Sequence, residues 1–472
     1  MGQEIADSRF SAEDFDCFSE RLKRETRLLE SWFRDCTFCE EGHAGGFELE
    51  TWLVGRDGLP APVNEAVLDT LKDPLVVPEL ARFNLELNGQ PVPLQGDALS
   101  RLHLSLKQVW ERCAQAAELQ GARLMMVGIL PSAREGDFTL GNMSPLQRYH
   151  ALDEQLYELR GGHPLEIDIE GSERLRFVHD DVMLESATTS FQIHLKVNAS
   201  HAVRFYNAAK IVSAPMVAVA ANSPYLFGAD LWDETRIPLF EQAVRVGASD
   251  LTKRVSFGIR YLRETMMECF QANLERYPVL LPRCMEVPDQ QLAHLRLHNG
   301  TIWRWNRPLI GFSESGQPHL RIEHRVLPAG PSMVDAIANM ALFFGLVYAL
   351  ANQPEPPESR LEFVQARENF YRAAREGLQA RLQWLDGKTV TARELCLEVL
   401  LPQARTGLER MGLDRHDADG WLSIIRHRLE SGQTGAVWQR AWVRQHGRGM
   451  PALVEAYLQR QNSGAPVHQW TL

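Results

Sequence analysis

Three short segments of the chain place charged or imidazole side chains at alternate positions. In a β-strand this spacing turns both side chains to the same face of the sheet. The segments are Gly46-Phe47-Glu48-Leu49-Glu50, Gln192-Ile193-His194 and Arg321-Ile322-Glu323-His324-Arg325. Glu48 and Glu50 would repel each other at this spacing unless a hard cation lay between them. The Arg–Glu–Arg row of the third segment suits phosphate oxygens beside a metal-binding carboxylate. The alternation therefore predicts a sheet face that binds metal and phosphate, as nucleotide-dependent chemistry requires.

Each segment also has an ordinary interpretation. Glu-x-Glu is typical of the solvated face of a half-exposed strand, and Gln-x-His occurs in strands without a site. Arg-x-Glu-x-Arg can be a surface ladder of ion pairs, which contributes little to stability. The occurrence of all three in one chain, each among apolar residues of strand type, favours the functional interpretation.

Composition and charge narrow the classes of protein. The chain has 472 residues, of which 44% are hydrophobic and 24% charged, so it can bury a large core in two or three lobes. A net charge of −11 argues against a general nucleic-acid-binding protein, although it allows a local basic pocket for nucleotide phosphates. The seven cysteines are odd in number and scattered, which favours a reducing cytoplasm over a secreted disulfide framework.

Targeting and membrane signals also favour a cytoplasmic protein. The first six residues, Met1 to Ala6, lack the basic and apolar regions of a signal peptide, and Ala6 stands where myristoylation wants Ser or Thr. The most apolar stretch, 336–351, is shorter than a membrane span needs and predicts a buried helix. Cys36 and Cys39 form a CxxC without a second pair for zinc, which leaves a structural role or a labile redox pair. We expect a cytoplasmic protein with no membrane partner.

Periodicity predicts the order of the elements. Helices are expected over residues 1–40, 97–120, 201–222 and most of 359–461, and strands near 45–55, 83–88, 122–130, 190–198, 295–304 and 318–327. Residues 160–180 predict a loop or hairpin, and the Pro-rich stretch 352–358 predicts a linker. We expect three parts: an N-terminal helical extension (1–44), a catalytic sheet domain (45–352) and a helical C-terminal lobe (353–472).

The elements do not alternate as βαβ units, and the chain has no Gly-x-Gly-x-x-Gly or Walker loop. This argues against a Rossmann or P-loop fold. An α+β fold fits better, with an antiparallel sheet, helices on one side and a helical C-terminal lobe.

From about residue 45 to the end, the chain resembles the carboxylate–amine ligases of the glutamate–cysteine ligase type 2 group, relatives of glutamine synthetase and the guanidino kinases. Besides the three alternating segments, the matching stretches are Phe83-Asn84-Leu85-Glu86, Ala221-Asn222-Ser223-Pro224 with Arg236 downstream, Gly300-Thr301-Ile302-Trp303-Arg304-Trp305-Asn306-Arg307-Pro308, Asp335, Glu368-Asn369-Phe370-Tyr371-Arg372-Ala373-Ala374-Arg375-Glu376-Gly377-Leu378, and Gly432-Gln433-Thr434-Gly435-Ala436 with Gln439-Arg440. Each stretch is weak alone, and their order makes the match specific.

The resemblance implies a curved antiparallel sheet of the glutamine synthetase type, with helices on its convex side, whose concave face binds ATP and Mg²⁺ or Mn²⁺. It also implies amide formation through an acyl-phosphate, with glutamate and cysteine, the pair of glutathione biosynthesis, or another amine as substrates. The residues it implies as metal ligands are Glu48, Glu50, Glu86, Glu323 and His194.

For phosphate and substrate groups the resemblance implies two arginines and a few weaker candidates. Arg325 and Arg307 would hold phosphate or a substrate carboxylate, with Glu323 as the third catalytic residue, and Arg236 and Asn222 would contact substrate. Asn369 and Arg372, one helical turn apart, would cap the nucleotide site or serve a structural role. The partners implied are small carboxylate and amine substrates, with a homodimer allowed and no nucleic acid.

One departure from the family pattern is Gln192, where members often have a first histidine of His-x-His. Residues 1–40 and 160–180 look like additions that reshape the amine pocket. Two rival functions stay open: a phosphotransferase of the same fold, and a non-catalytic nucleotide-binding homologue. The intact set of glutamates and arginines argues against the second, because a degenerate site tends to lose charges that repel one another. A metallohydrolase is disfavoured by the absence of His-rich spacing.

Overall fold

A computed structural model describes residues 9–247, 249 and 252–472. The expectations for the first six residues therefore lie outside the described chain. The strands are β1 (Ala44–Val54), β2 (Val76–Pro78), β3 (Asn84–Asn88), β4 (Val92–Pro93), β5 (Arg123–Met125), β6 (Leu165–Glu170), β7 (Arg174–His179), β8 (Phe191–Val197), β9 (Tyr225–Leu226), β10 (Ala229–Asp230), β11 (Asn306–Phe312), β12 (Pro318–His324), β13 (Arg381–Gln383) and β14 (Thr389–Thr391).

Helices account for most of the remaining described chain. They are α1 (Ala12–Arg34), α2 (Asn64–Leu71), α3 (Ala98–Leu119), α4 (Gln147–Leu159), α5 (Ala202–Ala220), α6 (Arg236–Ala243), α7 (Met267–Arg276), α8 (Ala293–Gly300), α9 (Met333–Ala351), α10 (Phe363–Glu376), α11 (Ala392–Leu395), α12 (Leu401–Met411), α13 (Arg415–Ser431), α14 (Gly435–His446) and α15 (Met450–Asn462).

Several helix ends follow from capping residues. Ser11 and Asp14 form a capping box at the start of α1, and the Ser332 side chain accepts the Asp335 backbone N–H at the start of α9. Gly412 and Gly432 end α12 and α13 with positive φ angles of 103° and 70°, a region that glycine enters without steric cost.

One large antiparallel sheet organises the molecule. Its strand order is β11-β12-β8-β1-β3-β2, and β4 and β5 also pair with β1. Neighbouring strands in it pair antiparallel throughout, and the sheet curls into a half-barrel. Because side chains alternate along each strand, one face of the sheet is polar and the other apolar.

The apolar face is covered by helices. Phe47 and Leu49 on β1 are buried, and His324 on β12 stacks on Phe343 of α9 with ring centroids 4.2 Å apart. Helix α5 also packs against this face, where the Tyr206 hydroxyl donates to the Asn306 carbonyl of β11. The polar residues between these apolar ones therefore face the opposite, concave side.

Helix α9 has the length and composition of a membrane span, with 19 residues. The expectation that its apolar stretch is too short was therefore wrong. The helix is nevertheless mostly buried inside the protein, so it is a core helix, as the sequence predicted. It packs closely on α12, where a Cβ on Gly345 would lie 2.3 Å from the Ala404 carbonyl oxygen.

Some of the other predictions of helices and strands are confirmed and others are wrong. The strand predicted near 295–304 is wrong, since residues 293–300 form helix α8. The run 122–130 contains only the three-residue strand β5, whereas 160–180 contains the hairpin of β6 and β7. Residues 359–461 are mostly helical but include the hairpin of β13 and β14. The three-part division of the chain stays a prediction.

The cysteines also correct an expectation. Cys17 on α1 and Cys284 form a disulfide across 267 residues, although the scattered cysteines predicted no disulfide framework. Cys36 and Cys39 are both free, with Cys36 exposed and Cys39 buried. The cytoplasmic location stays a prediction.

Candidate functional site

Strand register gathers the predicted polar residues on the concave face. Glu50 on β1 lies directly opposite Glu86 on β3, and Glu48 lies opposite Gln192 on β8. On the other side of β8, His194 lies opposite Glu323 on β12. Residues far apart in the sequence therefore meet because every second position of four adjacent strands faces the same side.

The first cluster joins Glu48, His194 and Glu323. The His194 Nε2 atom lies 3.2 Å from a Glu48 oxygen and 4.0 Å from a Glu323 oxygen. One donor atom from each residue lies within 4.8 Å of the others, a spacing that one metal ion can bridge. Two carboxylates and an imidazole are a ligand set for a divalent cation.

A second cluster joins Glu50, Glu86 and Glu79, again with donor atoms within 4.8 Å of one another. Sequence analysis missed Glu79, which follows the short strand β2 and therefore lacked an alternating neighbour. Burial, and then the charges of Glu50 and Glu185, raise the pKa of Glu79 to about 8. Burial and the neighbouring carboxylates Glu48 and Glu79 raise the pKa of Glu86 well above its usual value.

The two carboxylates of β1 have pKa values that are shifted in opposite directions. Burial raises the pKa of Glu50, an effect that Arg325 and Ser190 only partly offset. Burial acts the same way on Glu48, but the His194 ring beside it and Arg325 together outweigh burial and lower the Glu48 pKa. Glu323 is also lowered, to a pKa of about 2, because Arg307 and Arg325 overcome its burial. Glu48 and Glu323 of the first cluster are thus ionised, whereas burial keeps the pKa values of Glu50, Glu79 and Glu86 above their usual range.

The two arginines predicted to hold phosphate have different surroundings. Arg307 donates to both oxygens of Glu323, at 2.7 and 2.8 Å, and its Nη1 donates to the Gly300 carbonyl. Arg325 donates through Nη1 to Glu323 and to the Gln192 side chain, while its buried Nε has no hydrogen-bond partner. Arg307 therefore holds Glu323, whereas the Nε donor of Arg325 stays unpaired.

Gln192 links Glu50 to Arg325. Its amide nitrogen donates to Glu50 at 2.8 Å, and its amide oxygen accepts from Arg325 at 2.5 Å. The Ser190 N–H and hydroxyl donate to the other Glu50 oxygen. A neutral amide can bridge a carboxylate and a guanidinium because it both donates and accepts.

Two predicted substrate residues are buried away from the cavity lining. Arg236 is 2% exposed and pairs with Glu234 at 3.1 Å, and it also donates to the backbone carbonyls of Arg325 and Val326. The Asn222 amide donates to the Ala329 carbonyl and the Tyr457 hydroxyl, and its oxygen accepts from Gln439. Arg236 fixes the end of β12, and Asn222 joins distant segments of the chain.

Asn369 and Arg372 hold the hairpin of β13 and β14. The Asn369 side chain exchanges hydrogen bonds with the backbone of Gln383, and Arg372 donates to the Arg381 carbonyl. Neither lines the main cavity. The structure therefore does not bring these two residues together with the carboxylate clusters.

A cavity of about 300 Å³ opens over the clusters. Its polar floor includes Glu48, Glu79, Glu323, Arg307 and Arg325. The remaining walls come from α4, α7, α8 and neighbouring segments, and their lining residues include Leu152, Phe270, Leu281, Leu297, Trp303, Arg148, Glu185, Arg296 and Arg321. Of these wall residues, only Trp303 and Arg321 lie in stretches that the sequence analysis had linked to the site. The others lie on α4, α7 and α8 or in connecting segments, for which no role in the site was predicted.

The donor set fits a divalent cation. Among the described residues, Glu48 Oε2, Glu86 Oε2 and both ring nitrogens of His194 are buried without a hydrogen-bond partner. Buried polar atoms nearly always have a hydrogen-bond partner. Several unpaired ones in one place therefore indicate a site that binds a ligand. Oxygen-rich clusters of this kind match Mg²⁺ or Mn²⁺ better than softer metals.

Comparisons with known proteins agree with the geometry. The profile of glutamate–cysteine ligase family 2 matches residues 45–456. The glutamate–cysteine ligase from Francisella tularensis, solved in complex with AMP, has 13% identity and a TM-score of 0.56, with 90% of each chain covered. A bifunctional glutathione synthetase from Pasteurella multocida has 11% identity and a TM-score of 0.53, with 93% of this chain and 55% of that chain covered. Among curated proteins, none matches the sequence.

At these identities the solved structures show a shared fold. The curled antiparallel sheet with helices on its convex side is the glutamine synthetase-type fold that the resemblance implied, and this prediction is confirmed. The family profile spans most of the chain and includes every predicted site residue. The protein therefore belongs to glutamate–cysteine ligase family 2.

Proposed function

We propose that the protein is an ATP-dependent ligase that joins a carboxylate to an amine through an acyl-phosphate, with glutamate as the carboxylate and cysteine or another amine as the acceptor. The observation that carries this proposal is the juxtaposition of two carboxylate clusters with Arg325 at one cavity, which Glu48 and Glu323 of the first cluster and Glu79 of the second line. Membership of glutamate–cysteine ligase family 2 supports the reaction class.

The reaction has two steps. The γ-phosphoryl group moves from ATP to a carboxylate oxygen of the substrate, and ADP is released. A neutral amine then attacks the acyl carbon, the bond from that carbon to the phosphate oxygen breaks, and one proton leaves the nitrogen. Both steps build negative charge on oxygen atoms, so positioned positive charge lowers their barriers.

The cation sites would be formed by two sets of residues. Glu48, His194 and Glu323 would hold one Mg²⁺ or Mn²⁺ ion, and Glu50, Glu79 and Glu86 a second. Bound cations would neutralise the phosphate oxygens of the nucleotide. The raised pKa values of Glu79 and Glu86 are consistent with carboxylates that lose their proton only when positive charge arrives.

Arg325 is the group of this chain best placed to touch the transferring phosphoryl group. It is 6% exposed, lines the cavity and has its Nε free. Its Nη1 is fixed by Glu323 and Gln192, so the guanidinium plane is held without help from a ligand. A fixed donor of this kind stabilises developing charge without having to reorganise during the reaction.

The cavity walls outside the sheet would contact the amine, and we call this side of the cavity its acceptor half. Leu152, Phe270, Leu281 and Leu297 give it a largely apolar lining, with Arg296 and Arg321 nearby. An apolar wall suits the side chain of an amine substrate, and an arginine suits a second carboxylate. We therefore include amines other than cysteine in the proposal.

A screen of carboxylates against amines tests the proposal. ADP release is measured for each pair, and products are identified by mass. We expect ADP release that needs both substrates, with a product mass equal to the two substrates minus water. ADP release with a phosphorylated product and no amide would favour the phosphotransferase, and nucleotide binding without ADP release across the whole screen would favour the non-catalytic homologue.

A further inference from the structure

A second cavity, of about 60 Å³, lies between α5, α7 and the segment 256–262. Its lining includes the guanidinium groups of Arg260, Arg276 and Arg304, the side-chain amine of Lys210, and one carboxylate, Glu268. Within the described residues, it shares no lining residue with the main cavity. It is therefore a separate site rather than an extension of the ligase cavity.

The one carboxylate is already engaged. Glu268 Oε1 accepts the backbone N–H groups of Arg263, Glu264 and Thr265, and Oε2 pairs with Arg260 at 2.6 Å. No carboxylate in the described part of the chain forms an ion pair with Lys210, Arg276 or Arg304 at 4.0 Å or less. The cavity therefore carries an excess of positive charge.

Two of these basic side chains are buried. Arg304 is 7% exposed, and its Nη1 has no hydrogen-bond partner although the residue lines the cavity. Lys210 is 2% exposed, its Nζ donates to the Phe257 carbonyl at 2.5 Å, and burial lowers its pKa to about 7. A buried guanidinium donor without a partner costs free energy, which an anion in the cavity would recover.

Size and charge restrict the ligand. One buried water needs roughly 10–15 Å³, so a cavity of about 60 Å³ has room for a group with a few oxygen atoms and none for a nucleotide. Guanidinium groups match the paired oxygens of phosphate and sulfate, and higher ligand charge strengthens such contacts. We propose that this cavity binds a small tetrahedral oxyanion, phosphate or sulfate, through Arg304, Arg276 and Lys210.

The cavity is connected to the ligase site through the start of β11. The backbone N–H of Trp305, next to Arg304, donates to the Ser256 carbonyl, and the hydroxyl of Tyr206 in the cavity wall donates to the Asn306 carbonyl. The following residue is Arg307, which holds Glu323. An anion beside Arg304 therefore acts on the segment that positions a catalytic ion pair, and phosphate is a product of the proposed reaction.

Binding of radiolabelled phosphate to the full chain, measured by equilibrium dialysis without nucleotide, tests the assignment and does not depend on ligase activity. We expect Arg304→Gln to weaken phosphate binding at this site by at least about tenfold, the usual size of one lost charge-assisted contact. The matched control is Arg263→Gln, an exposed arginine of the neighbouring segment that does not line the cavity. Arg325→Gln separates this site from the main cavity, because phosphate bound beside Arg304 survives that change.

If Arg304→Gln does not fold, as judged by its thermal unfolding, Arg276→Gln decides the matter, because Arg276 is only half-buried. Sulfate is expected to compete with phosphate, and acetate at the same concentration is not. The assignment is overturned if both cavity variants bind phosphate as the wild type does, if Arg325→Gln alone abolishes binding, if acetate competes as well as sulfate, or if the wild type binds no phosphate in the millimolar range.

Discussion

Arg307 holds both oxygens of Glu323, the residue directly opposite it on the neighbouring strand, through hydrogen bonds of 2.7 and 2.8 Å. This forked contact fixes the carboxylate plane of Glu323 beside His194. Arg307 therefore acts as a positioning residue for a proposed metal ligand, while Arg325 on the same face keeps a free donor. The two arginines looked equivalent in the sequence. Replacing Arg307 and replacing Arg325 should nevertheless have different effects.

Glu323→Gln should lower turnover by at least about 100-fold while leaving the fold intact, because it removes one charge from the first cluster and a partner from two arginines. Steady-state ADP release measures the effect, and thermal unfolding checks the fold. Glu314→Gln, at an exposed position between β11 and β12, serves as the control and should keep wild-type rates. A Glu323 variant with near-normal turnover would support the surface ion-pair interpretation instead.

Arg325→Lys should lower kcat by at least about tenfold with little change in KM. Lysine keeps the charge but loses the planar guanidinium, whose Nη1 bonds both Gln192 and Glu323 and whose Nε has no partner. ATP and the carboxylate substrate are varied separately, with Arg174→Lys on the exposed hairpin as control. A rise confined to the KM of the carboxylate substrate would instead assign Arg325 to ground-state binding.

Removing divalent cations should abolish turnover and weaken ATP binding, because the two carboxylate clusters would otherwise repel the nucleotide phosphates. Titrations of ATP with and without EDTA measure the affinity, and added Mg²⁺ or Mn²⁺ should restore it. Equal ATP affinity and turnover in the chelator would contradict the assignment of both clusters as cation sites.

Acid should destabilise the protein through His298. Burial, together with the nearby charges of Arg254 and Arg304, lowers its pKa from 6.5 to about 4. Between these pH values the unfolded chain binds a proton that the folded protein does not, so the free energy of unfolding falls as the pH falls through this window. The contribution reaches about 3 kcal/mol below pH 4, at 1.36 kcal/mol per pKa unit.

His298→Gln should therefore reduce the loss of stability between pH 6.5 and 4, measured by urea unfolding at several pH values. His163→Gln, at an exposed position, should leave the pH dependence unchanged. Half-buried His319 and buried His324 also have lowered pKa values, of about 4 and 3, so part of the dependence remains in the variant. Identical pH profiles for the wild type and His298→Gln would contradict the prediction.

Cys17→Ser should lower the free energy of unfolding by roughly 2–5 kcal/mol under non-reducing conditions, because the Cys17–Cys284 disulfide closes a loop of 267 residues. Denaturant unfolding with and without a reductant measures the change, and the reductant should have no further effect on the variant. Cys36→Ser, which alters an exposed free cysteine, should match the wild type. A wild type that contains only free thiols would contradict the disulfide.

The part of the site carried by strands could be predicted from the sequence. Glu48, Glu50, His194 and Glu323 alternate with apolar residues, and alternation alone fixes which side chains share a face. Glu79 could not be predicted in this way, because the strand before it has only three residues and shows no period. The partner of each arginine also depends on strand register, which pairs Arg307 with Glu323 and cannot be read from one strand.

Motif order was a weaker guide to individual roles. Asn222 and Arg236 lie in stretches that match the family, yet their side chains bond to protein groups rather than line the cavity. The strand predicted near 295–304 failed because its apolar residues have a spacing that a short buried helix also shows, and residues 293–300 form α8. The disulfide joins two segments that only the fold brings together.

Helix α1 lies before residue 45, where the family match begins, yet it supports one wall of the main cavity. Besides the disulfide, Glu25 binds the ring of His294 and the N–H of Leu295, and Asp289 pairs with two arginines of α1. The same segment, 281–297, lines the acceptor half of the cavity. In the proposed reaction, the residues that would bind the nucleotide and those that would contact the amine therefore lie in separate stretches of the chain. We expect substitutions in the N-terminal helix to change the preferred amine more than the use of the nucleotide.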